Sequence, residues 1–217
     1  TLVINEKCKK LIAEGKKIYR FGFGQSPFPV PKKIVETLKN NAHRKNYLPI
    51  QGLAELRECL SVHYRENYNA EVGADRILIT PGASGGLSLL ANMLIRAGDG
   101  VLLSDPAYPC VRNFIHMMSA QPQLIPVGIE QNFQPMLEQL NEYCTDETSG
   151  LWLGSPSNPT GTILERSKLK AACDWAKAGQ KHLLVDEIYH GLHYVDDLPS
   201  VLELDQSAFV VNSFSKY

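Results

Sequence analysis

The sequence predicts an α/β fold, a mostly parallel sheet with helices on both faces. Short apolar runs recur along the chain without the strict alternation of a half-exposed strand, and longer amphipathic segments separate them. Strands that are apolar on both faces are typical of a buried parallel sheet, because the connecting helices cover both of its sides. Hydrophobic residues make up 44% of the 217-residue chain and charged residues 21%, which suits a globular domain.

Strands and helices are predicted to alternate from residue 77 onward. We expect strands at Ile77–Thr80, Val101–Ser104, Gln123–Val127, Leu151–Gly154, His182–Asp186 and Ala208–Asn212. Helical periodicity occupies most of the intervals, at Ser84–Arg96, Tyr108–Ser119, Phe133–Tyr143 and Arg166–Ala178. Two further helices, Lys32–Ala42 and Leu53–Glu66, are predicted upstream, where Pro31 and Gly52 interrupt the chain.

Composition argues against several classes of protein. A formal net charge of −1 gives no reason to expect a nucleic acid or membrane partner, and no apolar run approaches the roughly 20 residues that span a bilayer. The five cysteines lack C-x-x-C spacing, so neither a metal site nor a disulfide framework is indicated. We therefore expect a cytoplasmic protein with reduced thiols.

The residues that follow the strands are the first candidates for a binding site, since ligands of parallel sheets lie beyond the carboxyl ends of the strands. A glycine-rich segment with Ala83 and Ser84 follows the first predicted strand and opens a helix. Backbone N–H groups at a helix N-terminus attract anions, and Ser84 could cap the helix or bind a phosphate. By itself, the segment is equally well explained as an ordinary strand–helix turn.

Aromatic and amide side chains follow the next strands. Tyr108 could stack on a flat ring, although half-buried packing is the commoner role of such a residue. Asn158 is bracketed by Pro156 and Pro159, which fix its direction more firmly than a simple turn requires. This bracketing favours a functional role for Asn158.

The last two candidates are charged. Asp186 ends an apolar strand, where a carboxylate needs a cation or hydrogen-bond donors unless its pKa rises; capping a helix is the simpler explanation. Lys216 follows the final predicted strand, and taken singly it would be a solvated surface lysine.

Together these segments resemble the class I/II aminotransferases of pyridoxal-phosphate (PLP) fold type I. The resemblance rests on five motifs in order, Gly-Ala-Ser at 82–84, Pro-Ala-Tyr at 106–108, Asn-Pro-Thr-Gly at 158–161, Asp-Glu-Ile-Tyr at 186–189 and Ser-Phe-Ser-Lys at 213–216. Upstream, Phe23-Gly24 and Asn46-Tyr47 also match, so the resemblance covers nearly the whole chain.

This resemblance implies transamination between an L-amino acid and a 2-oxo acid, with PLP as the cofactor. Lys216 would form a Schiff base with PLP and later move the proton between the substrate and the cofactor. Asp186 would pair with the pyridine nitrogen and keep it protonated. Tyr189 would act with these two residues in catalysis.

The remaining roles are implied in the same way. Asn158 and Tyr189 would hydrogen-bond the phenolic oxygen of the cofactor, and Tyr108 would stack on its ring. The phosphate would be held by Ala83, Ser84 and Ser213, with Ser215 nearby. Substrate would be bound near Gly24 and Asn158. Tyr47 would reach the phosphate in the neighbouring subunit, which implies a homodimer.

The resemblance also predicts domain organisation. Residues 1–44 would form an N-terminal arm and a segment associated with the small domain or the dimer partner, and residues 45–217 an incomplete PLP-binding large domain without the C-terminal small domain. In similar enzymes an antiparallel strand from beyond the lysine separates the first strand from the sixth. Ile77–Thr80 and Ala208–Asn212 should therefore not pair directly, while the other strands pair continuously. The Asp105–Pro106 and Asn158–Pro159 bonds are expected to be cis.

Three other functions stay open. On the same fold, a β-lyase of sulfur amino acids or a Claisen-type synthase is possible, but such relatives often carry histidine in place of Tyr108 or Tyr189. From a different class, the chain could be the effector domain of a transcriptional regulator. The two tyrosines favour transamination.

Overall fold

The computed structural model describes residues 2–20, 24, 26 and 28–216. The chain divides into two compact units. The first holds the chain up to Tyr47 together with Lys216, and the second holds residues 48–215. Phe23, which contributes to an upstream family motif, lies outside the described residues.

The first unit contains two helices, α1 (Leu2–Ala13) and α2 (Lys32–Asn41). Helix α2 begins directly after Pro31, as the sequence predicts. The apolar side chains of Ile34 and Leu38 on this helix are exposed. No helix among the described residues has the length and apolar character that a membrane crossing requires.

The second unit alternates helices and strands. Its helices are α3 (Ala54–Tyr68), α4 (Gly82–Leu94), α5 (Pro109–Met117), α6 (Leu137–Tyr143), α7 (Arg166–Ala178) and α8 (Val201–Leu204). Its strands are β1 (Gly100–Asp105), β2 (Gln121–Pro126), β3 (Thr148–Gly154), β4 (His182–Asp186) and β5 (Phe209–Val211). The five strands form one sheet in the order β2-β1-β3-β4-β5, and every pair is parallel. The predicted α/β class and the continuous pairing of these strands are confirmed.

The core lies on both faces of this sheet. On one face, Leu102, Leu151 and Leu183 pack in a cluster with residues of α3, α6 and α7. On the other, Leu103 and Trp152 pack with residues of α4 and α5. Because neighbours along a strand point to opposite faces, a sheet covered on both sides needs consecutive apolar residues. The uninterrupted apolar runs of the sequence arise from this arrangement.

The strand predicted at Ile77–Thr80 is wrong. Ile77 has extended φ and ψ angles of −102° and 129°, but no residue of 77–80 belongs to a strand in the described structure. The N–H of Ile79 instead donates to the carbonyl of Gln51 at 3.0 Å. An extended segment is a strand only when it forms ladder hydrogen bonds with a neighbouring strand. Among the described strands, β5 is at one edge of the sheet and pairs with β4 alone, so residues 77–80 have no strand partner there.

Two helix starts differ from prediction by more than one residue. Helix α4 begins at Gly82, whose φ is +73°, so Ser84 lies within the first turn and does not cap the helix. Helix α6 begins at Leu137, later than the predicted Phe133. Asn132 and Phe133 have φ angles of 54° and 52°, which a right-handed helix excludes.

The structure contains the two cis proline bonds that were predicted and a third that was not. Asp105–Pro106 and Asn158–Pro159 are both cis, as predicted. Ser155–Pro156 is a third cis bond that the sequence reasoning did not identify.

Candidate active site

The candidate site lies where the carboxyl ends of three neighbouring strands are in register. Gly154 at the end of β3 pairs with Asp186 at the end of β4, and Asp186 pairs with Val211 at the end of β5. Adjacent strands are about 4.8 Å apart. The segments after these strands, which carry Asn158, Tyr189 and Ser213, therefore start side by side.

The loop after β3, residues 155–162, is held by its own backbone and by β4. The N–H of Ser155 donates to the carbonyl of Asp186 at 3.1 Å. Ser157 donates to the carbonyl of Thr162 and accepts from the N–H of Gly161, both at 2.8 Å. Backbone hydrogen bonds therefore join residues near the two ends of this segment, the Asn158 loop.

Asn158 and Tyr189 meet across two of these loops. The Nδ2 of Asn158 donates a hydrogen bond to the hydroxyl of Tyr189 at 3.2 Å. Both side chains are half-buried, and both border a groove of about 500 Å³ that continues along Leu192 and Tyr194. The sequence predicts that these two residues share one target, and the structure brings their polar groups together.

Asp186 is a half-buried carboxylate with few partners. Its Oδ1 accepts a hydrogen bond from the N–H of Ile188 at 3.0 Å, and no ion pair to it is formed within the described part of the chain. Burial raises the pKa of Asp186 to about 6, against the smaller opposing effect of the Ile188 hydrogen bond. A cation placed beside this carboxylate would offset the cost of burying its charge.

Tyr108 lies within electrostatic range of the same carboxylate. It precedes the first residue of α5 and is half-buried against the apolar cluster beneath α4 and α5. Interaction with the thiol of Cys110 raises the pKa of the Tyr108 phenol to about 12, with further contributions from burial and from the nearby Asp186 and Tyr189. Tyr108, Asp186 and Tyr189 are therefore close enough to interact electrostatically.

The start of α4 is packed beside β5. A Cβ added at Gly86 would lie 3.8 Å from the side chain of Val211, an ordinary van der Waals distance, so the first turns of α4 lie against the end of β5. Ala83 is half-buried and Ser84 exposed in the first turn of α4. At the end of β5, the hydroxyls of Ser213 and Ser215 are 3.0 Å apart, and the N–H of Ser215 donates to the Ser213 hydroxyl.

Three predicted site residues belong to the first unit. Lys216 is half-buried in the turn that follows Ser215 along the chain. Tyr47 is fully exposed, with a relative exposure of 104%. Gly24 is exposed as well.

Glu187 is a buried residue that the sequence reasoning left out of the site. It is 1% exposed, and its carboxylate accepts hydrogen bonds from the Ser200 hydroxyl at 2.9 and 3.1 Å and from the N–H of Val201 at 2.8 Å. Burial raises the pKa of Glu187 to about 8. The sequence signal that could have found Glu187 is its place immediately after Asp186. Consecutive residues of an extended segment point in opposite directions, so Glu187 is expected to point away from Asp186.

Comparison with known proteins agrees with this geometry. The sequence model of the family "Aminotransferase class I and II" matches residues 16–217. The chain belongs to the class I and II aminotransferases. Members of this family depend on PLP.

Individual aminotransferases are similar over most of this chain. The (5-formylfuran-3-yl)methyl phosphate transaminase of Methanocaldococcus jannaschii is 35% identical over 214 residues, which are 96% of this chain and 55% of that protein. The crystal structure of an aminotransferase from Mycobacterium tuberculosis is 34% identical with a TM-score of 0.84, over 90% of this chain and 54% of that one. The crystal structure of aspartate aminotransferase from Thermotoga maritima is 27% identical with a TM-score of 0.91, over all of this chain and 59% of that one. The chain thus spans about half the length of the relatives it matches.

The residues of this aminotransferase chain fit PLP chemically. The half-buried carboxylate of Asp186 suits a protonated ring nitrogen, because it lacks a cationic partner in the described structure. The Asn158–Tyr189 pair offers polar hydrogens for an oxygen on the ring. Backbone and hydroxyl donors at the start of α4 and at Ser213 and Ser215 suit a phosphate.

Proposed function

We propose that the whole protein catalyses PLP-dependent transamination between an L-amino acid and a 2-oxo acid. The observation that carries this proposal is the half-buried Asp186, which forms no ion pair within the described residues, together with the Asn158–Tyr189 hydrogen bond at the carboxyl edge of a parallel sheet. Family membership and relatives named as aminotransferases support the same reaction.

Each side chain would have a separate task. Asp186 keeps the ring nitrogen of the bound cofactor protonated, and the ring then supplies an electron sink for the substrate's α-carbon. Asn158 and Tyr189 orient the ring through its phenolic oxygen, and Tyr108 covers one ring face. The Lys216 amine holds the cofactor and, when released, moves the proton from the substrate's α-carbon.

The anchoring and substrate groups would surround this centre. Ala83, Ser84 and Ser213 bind the phosphate, with Ser215 supporting Ser213 through their 3.0 Å hydrogen bond. Gly24 and Asn158 are the residues we assign to the substrate.

Assembly and location are part of the proposal. The functional unit would be a homodimer in which Tyr47 contacts the phosphate in the partner subunit; the full exposure of Tyr47 supports this role. Residues 45–217 would be the part of the PLP-binding large domain in this chain, residues 1–44 the arm, and the location cytoplasmic. Sedimentation velocity tests the assembly, and a fully active monomer would refute it.

A half-transamination assay on the whole PLP-loaded protein tests the reaction. The expected result is one equivalent of 2-oxo acid for each cofactor converted to its amine form, followed by recovery of the original absorbance with a second 2-oxo acid. Ammonia and pyruvate as products would instead identify a β-lyase.

A further inference from the structure

Gln134 is a buried amide that connects the two ends of the Asn158 loop. Its relative exposure is 2%. Its Nε2 lies 3.4 Å from the carbonyl of Gly154, at the end of β3, and 3.2 Å from both the carbonyl and the hydroxyl of Thr162, at the end of the loop. One side chain therefore contacts the entry and the exit of the segment that presents Asn158.

Gln134 adds to the hydrogen bonds that hold the loop. At the entry, the N–H of Ser155 donates to the carbonyl of Asp186, and the Ser155 hydroxyl accepts from the N–H of Leu164. Thr162 accepts from the N–H of Ser157 through its carbonyl, and its hydroxyl is 2.9 Å from that of Thr160. The carbonyl of Gly154, where the loop leaves the sheet, is reached by Gln134. Without the amide, two half-buried carbonyl oxygens would lose a hydrogen-bond donor, which costs free energy.

Local backbone geometry directs Gln134 to this position. Asn132 and Phe133 both have left-handed φ angles, so the chain reverses immediately before Gln134, and α6 does not start until Leu137. In a helix starting at Phe133, as the sequence predicts, Gln134 would lie in the first turn.

We infer that Gln134 is a positioning residue that fixes Asn158 against Tyr189 and, through Asn158, tunes the bound cofactor. The inference rests on the proposed function, in which Asn158 donates to the cofactor's phenolic oxygen. Gln134 acts only through the loop, because its amide contacts Gly154 and Thr162 rather than Asn158 or Tyr189.

The test compares Gln134→Met, Asn158→Ala and the double variant in the whole PLP-loaded protein. Methionine keeps the length of glutamine and removes its donor. Gln139→Met is the matched control, since Gln139 also donates to a backbone carbonyl, that of Pro126, and accepts from the N–H of Met136 at the start of α6. Two quantities are measured: the pH midpoint of the visible absorbance change of the bound cofactor, and the melting temperature of the cofactor-free protein.

Loss of a donor to the phenolic oxygen destabilises its anion, so the midpoint in Asn158→Ala should rise, by up to about one pH unit. Gln134→Met should raise the midpoint in the same direction, and the double variant should match Asn158→Ala alone, because both changes act through one contact. Both glutamine variants should lower the melting temperature, but Gln139→Met should leave the midpoint unchanged.

The outcomes separate the two claims. An unchanged midpoint in Asn158→Ala contradicts the cofactor role proposed for Asn158. A shift in Asn158→Ala without one in Gln134→Met, or additive shifts in the double variant, overturns the inference about Gln134. If Gln134→Met does not fold, Gln134→Asn takes its place in the test. Asparagine keeps the amide on a side chain one methylene shorter, and the same shift of the midpoint is expected.

Discussion

Asn158 and Tyr189 are joined by a 3.2 Å hydrogen bond, although they follow different strands of the sheet. The two strands, β3 and β4, are paired in register up to Gly154 and Asp186, so the loops that follow them start from neighbouring positions. The donor is the Asn158 amide, which leaves the Tyr189 hydroxyl hydrogen available for another acceptor. The pair can therefore direct polar hydrogens at one oxygen.

Tyr189→Phe should lower kcat/KM of the whole protein by roughly 2- to 13-fold. The substitution removes one hydroxyl from this pair, and a neutral hydrogen bond contributes about 0.5–1.5 kcal/mol. Steady-state kinetics measure the effect. Tyr19→Phe is the matched control, because Tyr19 is exposed, has none of the roles assigned above and should tolerate the same change without loss. Equal kcat/KM in wild type and Tyr189→Phe would exclude a role for the hydroxyl.

Asp186→Ala should reduce kcat far more than it reduces cofactor retention. A hydrogen bond to a charged group contributes about 1.5–3 kcal/mol, which corresponds to roughly 10- to 150-fold in rate. The phosphate contacts are the larger anchor and are unaffected. Single-turnover rates and the PLP dissociation constant are compared, with exposed Asp196→Ala as the control. A wild-type rate in Asp186→Ala would disprove the ring-nitrogen role.

Glu187→Gln should change how stability depends on pH. The pKa of buried Glu187 is raised from 4.5 to about 8. In the unfolded chain this carboxyl ionises near pH 4.5, whereas the folded chain retains the proton until about pH 8. The stabilisation from the raised pKa is therefore complete below pH 4.5 and lost as the pH rises to 8, a change of a few kcal/mol.

Glutamine keeps the neutral hydrogen bonds to Ser200 and Val201 without ionising. Nearby His190 is held neutral across this range, because burial lowers its pKa to about 4. The melting temperature of Glu187→Gln should thus exceed that of wild type by an amount that grows from pH 5 to pH 8.5. A constant difference across that range would show that Glu187 does not retain its proton in the folded protein.

The sheet was largely predictable from sequence, because its strands are buried on both faces and their apolar runs are local. His182–Asp186 and helix Arg166–Ala178 match the structure residue for residue. Ile77–Thr80 was not predictable in the same way, since its strand character depends on a hydrogen-bonded neighbour. The start of α6 was missed because the left-handed backbone at Asn132 and Phe133 has no glycine to mark it.

The candidate site was predictable where motif residues follow strands. Tyr108, Asp186 and Tyr189 are close enough to interact electrostatically, and the Asn158 contact with Tyr189 places the fourth residue with them. Glu187 was missed although its place after Asp186 gave a signal, because its partners Ser200 and Val201 are known only from the fold. Gln134 could not be assigned, because its role depends on partners distant in sequence. For Gln134 those partners are 20 and 28 positions away.

Covalent attachment of the cofactor to Lys216 tests the central claim most directly. The whole PLP-loaded protein is reduced with borohydride, digested and mapped by mass spectrometry, with Lys216→Arg and Lys45→Arg as paired variants. We predict a single reduced adduct, on the peptide containing Lys216, that is lost in Lys216→Arg and kept in Lys45→Arg. An adduct on any other lysine, or one that persists in Lys216→Arg, would contradict the assignment.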